Sequence, residues 1–175
     1  MLLTYKNQTI RNATAADAPL LAAWWNNGAL MAHAGYPNGT GETAGGIAQK
    51  LAGDDDSPLR RLILEVDGWP VGEMNYRNLQ NGSAEIGIKI CVLSQQEKGY
   101  GRVFLSMLIA GLFDMGYGKI VLDTNLQNLR AQHVYEKLGF RRVAVHENAF
   151  QDQLGQLQSS VDYELLPADF VSFAR

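Results

Sequence analysis

Three Gly-x-Gly triplets stand in the chain, Gly39-Thr-Gly41, Gly99-Tyr-Gly101 and Gly116-Tyr-Gly118. With 18 glycines in 175 residues, about two such triplets arise by chance, so their surroundings carry the information. Gly116-Tyr-Gly118 follows a helical pattern and precedes a strand, which makes it a helix stop, and Gly39-Thr-Gly41 lies between helical segments. Gly99-Tyr-Gly101 alone follows a strand and opens a helix. At such a junction, exposed backbone N–H groups and the helix dipole attract an anion, and glycine lets a diphosphate approach the backbone. A dinucleotide fingerprint wants glycine at 104, where Phe104 stands, and no Gly-Lys-Ser/Thr supports a P-loop. The chemistry indicated is diphosphate binding outside both nucleotide folds.

Other polar groups are placed by periodicity. In the stretch Ala84-Glu-Ile-Gly-Ile-Lys-Ile90 the alternation is strict, so Ile86, Ile88 and Ile90 share one face of a strand while Glu85 and Lys89 share the other. Asn128 precedes an apolar helical pattern and has the residue type of an N-cap. Tyr135 falls on that helix's apolar face beside Val134 and Leu138, as a packed aromatic whose hydroxyl needs a partner. Asp123 ends a short strand, where turn or cap hydrogen bonding is its simplest use. His133 and His146 read as surface residues, Cys91 as a small buried hydrophobe, and Asp54–Asp56 as a solvated loop. One cysteine and three scattered histidines offer neither an internal disulfide nor clustered soft ligands for a metal, so no metal is expected.

The elements that must hold these groups follow from the same patterns. A strand is expected over 8–12, then a helix capped by Thr14 that carries Leu20, Leu21, Ala23, Trp24 and Trp25 and stops at Asn26-Asn27-Gly28. Breakers crowd residues 31–43, and a weaker helix follows over 43–51 before the acidic loop 53–58. Strands over 61–66 and 70–79 meet at Asp67-Gly68, and Asn81-Gly82 leads into a third over 84–93. A nearly all-apolar helix over 102–115, a strand over 119–124, a helix over 128–138 and strands over 140–145 and 160–165 complete an α/β chain: a strongly twisted mixed sheet flanked by helices.

Length and composition bound the function. A chain of 175 residues with 46% hydrophobic and 19% charged residues reads as one globular domain. A net charge of −3 argues against a nucleic-acid partner. The N-terminal residues lack signal-peptide character and the most apolar segment, 103–113, is too short to span a bilayer, so a cytoplasmic protein with no membrane partner is expected.

Two segments carry a family resemblance. Gln96-Glu-Lys-Gly99-Tyr-Gly101 resembles the Gln/Arg-x-x-Gly-x-Gly/Ala loop of the GNAT superfamily of acetyl-CoA-dependent N-acetyltransferases, and Asn128-Leu-Arg-Ala131-Gln-His-Val-Tyr135-Glu-Lys-Leu-Gly-Phe140 resembles that family's Asn-x-x-Ala…Tyr-Glu-Lys-x-Gly-Phe segment. The likeness covers residues 60–145 well and 1–58 only in general layout, nearest to the branch with ribosomal-protein N-terminal acetyltransferases. It implies a GNAT-like fold in which acetyl-CoA enters where two parallel strands splay. The domain then divides into acceptor-side helices and loop (1–58), an acetyl-CoA-binding core (60–145) and a C-terminal strand region (146–175).

The resemblance also implies roles. Lys98, Gly99, Tyr100, Gly101 and Arg102, with Gln96 and Glu97, would hold the CoA pyrophosphate. The strand end at Cys91, Val92 and Leu93 would pair with pantetheine, and Asn128 would add a cofactor contact to its capping role. Tyr135 would protonate the departing thiolate, and His33 and Tyr36 occupy the loop where the family builds its acceptor site. An alkylamine is about 0.1% neutral at pH 7, a deficit of roughly 4 kcal/mol, so a base or water relay is needed. Glu85 is the candidate, and Asp123 is a second. The acceptor is a primary amine of a small molecule or a protein N-terminus, an exposed terminal strand or apolar loop could support a homodimer, and the alternative function is a non-catalytic acyl-CoA-binding module.

Overall fold

The computed structural model describes residues 1–56 and 58–174; Ser57, within the acidic loop, and Arg175 lie outside the described residues. Strands β1 (Leu2–Tyr5), β2 (Gln8–Asn12), β3 (Leu59–Val66), β4 (Trp69–Leu79) and β5 (Ser83–Ile90) form an antiparallel run, β6 (Lys119–Asn125) joins β5 in parallel, and β7 (Arg141–Gln151) and β8 (Leu157–Leu165) complete one sheet of order β1-β2-β3-β4-β5-β6-β8-β7. Helices α1 (Ala18–Trp25), α2 (Gly28–Met31) and α3 (Ala44–Ala52) precede β3. Helix α4 (Tyr100–Asp114) connects β5 to β6, and α5 (Leu129–Lys137) leads into β7. The mixed α/β architecture is the one expected.

Two apolar clusters fix the layers. On one face of the sheet, Phe104, Leu105, Leu108 and Leu112 of α4 and Tyr135 and Leu138 near α5 pack with Leu62, Leu64, Met74, Tyr76 and Ile86. On the other, Leu21 and Trp24 of α1 and Ile47 and Leu51 of α3 pack with Ile63 and Cys91. Leu62, Ile63 and Leu64 are all fully buried because β3 has a helical layer on each side, which is why its sequence shows a run and not an alternation. Each such side chain contributes about 1.5–3 kcal/mol.

Turn chemistry sets the register. Asp67 and Gly68 both have positive φ, 52° and 78°, and Asn81 and Gly82 do likewise at 96° and 73°, the backbone that tight hairpins require. Register across the second turn puts Glu73 opposite Lys89, Asn75 opposite Gly87 and Arg77 opposite Glu85. Glu73 and Lys89 face α1 and α2: the Trp25 indole N–H donates to Glu73 at 2.8 Å, and the Lys89 ammonium meets the Met31 sulfur.

The structure adds and corrects elements. Strand β1 is unannounced in the sequence because its turn to β2 uses Lys6 at φ 53° in place of glycine. Thr14 caps a single 3-10 turn, Ala15–Asp17, before α1 begins, and the third meander strand ends at Ile90, short of 93, giving way to a 3-10 turn at Leu93–Gln95. The last hairpin runs well beyond the expected 145 and 160, since its outer part is polar and mostly exposed and therefore shows no alternation.

Candidate active site

Strands β5 and β6 are paired only from Ser83 with Lys119 to Glu85 with Val121. On its other edge β6 stays paired with β8 from Ile120 to Asn125, whereas beyond Glu85 it no longer pairs with β5, and the upper half of β5 is left with one free edge. A cavity of about 1080 Å³ opens there and is walled from both faces of the sheet. From the α4/α5 side come Ile86, Ile88, Ile90, Leu105 and Tyr135; from the α1/α2 side come Glu73, Asn75, Lys89, Leu30 and His33. The parted strands thus form a slot through the sheet.

At one end of the slot lies the Gly99-Tyr-Gly101 loop. Gly99 has φ 80° and is the N-cap of α4, and Glu97 also has positive φ, 61°. Among the described residues the amides of Lys98, Gly99, Tyr100 and Gly101 have no hydrogen-bond acceptor. A Cβ added at Gly101 would meet nothing within 4 Å, so the backbone is open to a ligand. These features fit a pyrophosphate. The Gln96 side chain donates to the Ile90 carbonyl at 2.9 Å and its oxygen faces Arg130, so the glutamine braces the loop against the strand end. Asn128 caps α5 by accepting from the Ala131 amide at 3.3 Å, and it lines the same cavity.

Tyr135 is almost fully buried, and its ring makes edge contacts with Phe140 and Tyr163 at 5.9 and 5.8 Å. Its hydroxyl has no partner among the described residues, although the ring lines the cavity. Burial first, then the charges of Asp123 and Tyr163, push its ionisation up to about 12, so it stays a proton donor. Asp123 also lines the cavity, and its carboxyl is pushed up by desolvation and by the carboxylates of Glu85 and Asp162.

Several expected site residues sit elsewhere. Cys91 and Val92 both give their amides to the Val71 carbonyl, at 2.8 and 3.1 Å, and neither reaches the cavity wall, whereas Leu93 does. The free strand edge is therefore one step earlier, over residues 86–90. Glu85 forms an ion pair with Arg77 and lies below the point where the strands part, outside the lining. Tyr36 is largely exposed and off the wall, while His33 stands at the rim.

Besides Asp123, Glu73 brings a carboxylate to the cavity wall, from the α1/α2 side. Burial raises its pKa above the usual carboxylate range, against the opposing effects of Lys89 and the Trp25 hydrogen bond. A signal for it exists in the sequence: counting back through the Asn81-Gly82 turn places this one acidic residue of an apolar strand opposite Lys89. Phe150, from the far end of β7, also lines the cavity; no local pattern marks it.

The sequence profile of the acetyltransferase (GNAT) domain matches residues 8–141. The chain belongs to the GNAT acetyltransferase family. No curated protein matches the sequence. Among solved structures, the chain is similar to spermidine N-acetyltransferase from Vibrio cholerae in complex with CoA and spermine, at 23% identity over 93% of this chain and 97% of that one, TM-score 0.82. It is similar to ribosomal-protein-alanine N-acetyltransferase from Brucella melitensis at 22% identity, covering 90% and 98%, TM-score 0.73. It is also similar to Mycobacterium smegmatis RimJ in complex with CoA-disulfide at 16% identity, covering 96% and 87%, TM-score 0.78. These similarities establish the fold. As a GNAT acetyltransferase, the protein uses acetyl-CoA as its acetyl donor and an amine as acceptor.

Proposed function

We propose that the protein transfers the acetyl group directly to a primary amine that enters from the α1/α2 side, with Tyr135 as general acid and Glu73 in the proton-accepting role first given to Glu85. The observation that carries this reading is that Glu73 and Tyr135 enter one cavity from opposite faces of the sheet, at the point where β5 and β6 separate. Acetyl-CoA supplies a thioester carbonyl, to which the amine nitrogen forms a bond as the carbon–sulfur bond breaks. Amides of residues 98–101 and Asn128 hold the donor, and the free edge of β5 orients its arm. Glu73 takes the proton that the nitrogen loses, directly or through a water. Burial brings its pKa nearer to that of an amine, so the transfer is less uphill than to a solvated carboxylate. Tyr135 donates its hydroxyl proton as negative charge develops on sulfur and recovers one from solvent.

The acceptor is a primary amine of a small molecule or a protein N-terminus. Spermidine and a ribosomal-protein alanine are the acceptors named for two similar structures, and both belong in the test. Residues 1–58 would serve the acceptor, 60–145 the donor, and the 146–175 region adds Phe150 to the acceptor wall. A second copy could add to the outer edge of β7 to form a dimer. Thiol release from acetyl-CoA, measured over a panel of spermidine, an aminoglycoside and an alanine-initiated peptide, should show turnover with at least one. Tight acetyl-CoA binding without turnover on any would favour the non-catalytic acyl-CoA-binding module, which has no use for a carboxylate and a phenol lining the same cavity.

A further inference from the structure

Gln153, in the turn between β7 and β8, lies more than a hundred residues from the loop that carries His33, yet it makes three hydrogen bonds to it. Its backbone amide donates to the Gly35 carbonyl at 3.0 Å, its side-chain oxygen accepts from the Asn38 amide at 2.9 Å, and its side-chain nitrogen donates to the Gly39 carbonyl at 2.7 Å. The turn presenting Gln153 is itself fixed: Asp152 accepts from the amides of Leu154 and Gln156 at 2.9 and 3.0 Å and from the Gln158 side chain at 2.9 Å.

The other side of the loop is equally constrained. Asn26 donates to the Glu42 carbonyl and accepts from the Gly41 amide, and a Cβ at Gly28 would fall 1.9 Å from the Pro37 carbonyl oxygen. Between these anchors, residues 33–39 have no regular element beyond a short 3-10 turn. Close by, the Phe150 ring lies 3.0 Å from where a Gly35 Cβ would stand and lines the cavity with Ala34 and His33. None of the residues that make these contacts lies in the loop at 96–102.

We infer that Gln153 is a positioning residue for acceptor recognition: it holds the 33–39 loop and Phe150 as one rigid wall, and so sets acceptor affinity without touching the donor or the reacting atoms. The inference rests on the acceptor entering from the α1/α2 side. With the latch broken, the loop spends part of its time away from the binding-competent position, and apparent affinity falls by that fraction. Two neutral hydrogen bonds of ordinary net strength correspond to about tenfold or more in such an equilibrium.

The experiment compares the parent with Gln153→Met, which keeps length and bulk, and Gln153→Ala. Acceptor KM is measured with spermidine and with an alanine-initiated tripeptide, alongside acetyl-CoA Kd and backbone hydrogen exchange. Both variants should raise acceptor KM about tenfold, with kcat and acetyl-CoA Kd within about twofold, and amides 35–39 should exchange faster in Gln153→Met than in the parent. An unchanged acceptor KM, or a parallel loss of donor affinity and kcat, would overturn the assignment. So would unchanged exchange at 35–39, a measurement that needs no acceptor. Parent protein that acetylates neither amine would count against the acceptor reading alone, because the exchange result still decides the latch.

Discussion

Glu73 and Glu85 stand on neighbouring strands and face the same side of the sheet, but only one is free of a cationic partner at hydrogen-bonding distance. Arg77 neutralises Glu85, whereas Glu73 is enclosed, and burial raises its pKa. In Glu73→Gln the amide oxygen can still accept from Trp25, so the fold should persist while kcat falls about 10²-fold or more. A raised native pKa means that the folded state holds the proton more tightly than the unfolded one. Stability is therefore greatest below the ordinary carboxylate pKa and declines as pH rises toward the native value. Urea unfolding at pH 4 and pH 8 should show a smaller decline in Glu73→Gln than in the parent, because Asp123, also raised, still contributes, and equal pH dependence would place the titration elsewhere. Tyr135→Phe keeps the ring contacts with Phe140 and Tyr163 and removes only the hydroxyl. Acetyl-CoA affinity should stay the same as chemistry-limited turnover drops about 10²-fold; full turnover with a lowered Tm would make the tyrosine a packing residue. Gly99, Asn128 and Tyr135 were legible in the sequence because each occupies a local pattern. Glu73 needed a hairpin register, and Phe150 a contact spanning more than a hundred residues.

The element scale turns on α4 and the loop before it. Gly99 at φ 80° aims the first amides of α4 into the slot, a conformation in which a side chain costs about 1–2 kcal/mol. Gly99→Ala should lower acetyl-CoA affinity in calorimetry severalfold, through strain and rotated amides, because a Cβ there meets only the Arg102 guanidinium, at ordinary contact. An unchanged Kd would show that the loop binds without this geometry. The helix itself was readable from its apolar run, and its start shifted from 102 to Tyr100 because the glycine pair supplies the cap in place of a polar side chain. The expected strand end at 91–93 read as apolar and extended, yet the chain there bends onto Val71. A free strand edge is a property of what lies alongside, and no residue type announces it.

At the scale of the whole molecule, the segment after β8 ties the two halves of the donor side together. The Val171 amide donates to the Leu138 carbonyl, Phe170 packs edge-on against Phe113 at 5.8 Å, the Phe173 amide donates to the buried Ser106 hydroxyl, and the Phe173 ring lies 5.0 Å from the Arg102 guanidinium. Gly139, at φ 96°, makes this route possible: a Cβ there would fall 1.9 Å from the Asp169 carbonyl oxygen. Gly139→Ala should destabilise the protein by about 2 kcal/mol or more, from the positive φ and from displacing the returning segment. Thermal unfolding measures it, and a Tm within a degree of the parent would show that the segment moves aside freely.

Because the slot passes through the sheet, the two reactants need not share an entrance. A donor already seated leaves the opposite mouth open, and an amine bound first does not bar the donor's route. Initial-rate plots should therefore intersect, and neither substrate should have to leave before the other arrives. A single molecule that joins the CoA thiol to an amine through a short carbon bridge would thread the sheet and occupy both mouths together. Such a conjugate gains the effective concentration of a tethered pair, and cutting or lengthening the bridge would show how far apart the two mouths lie.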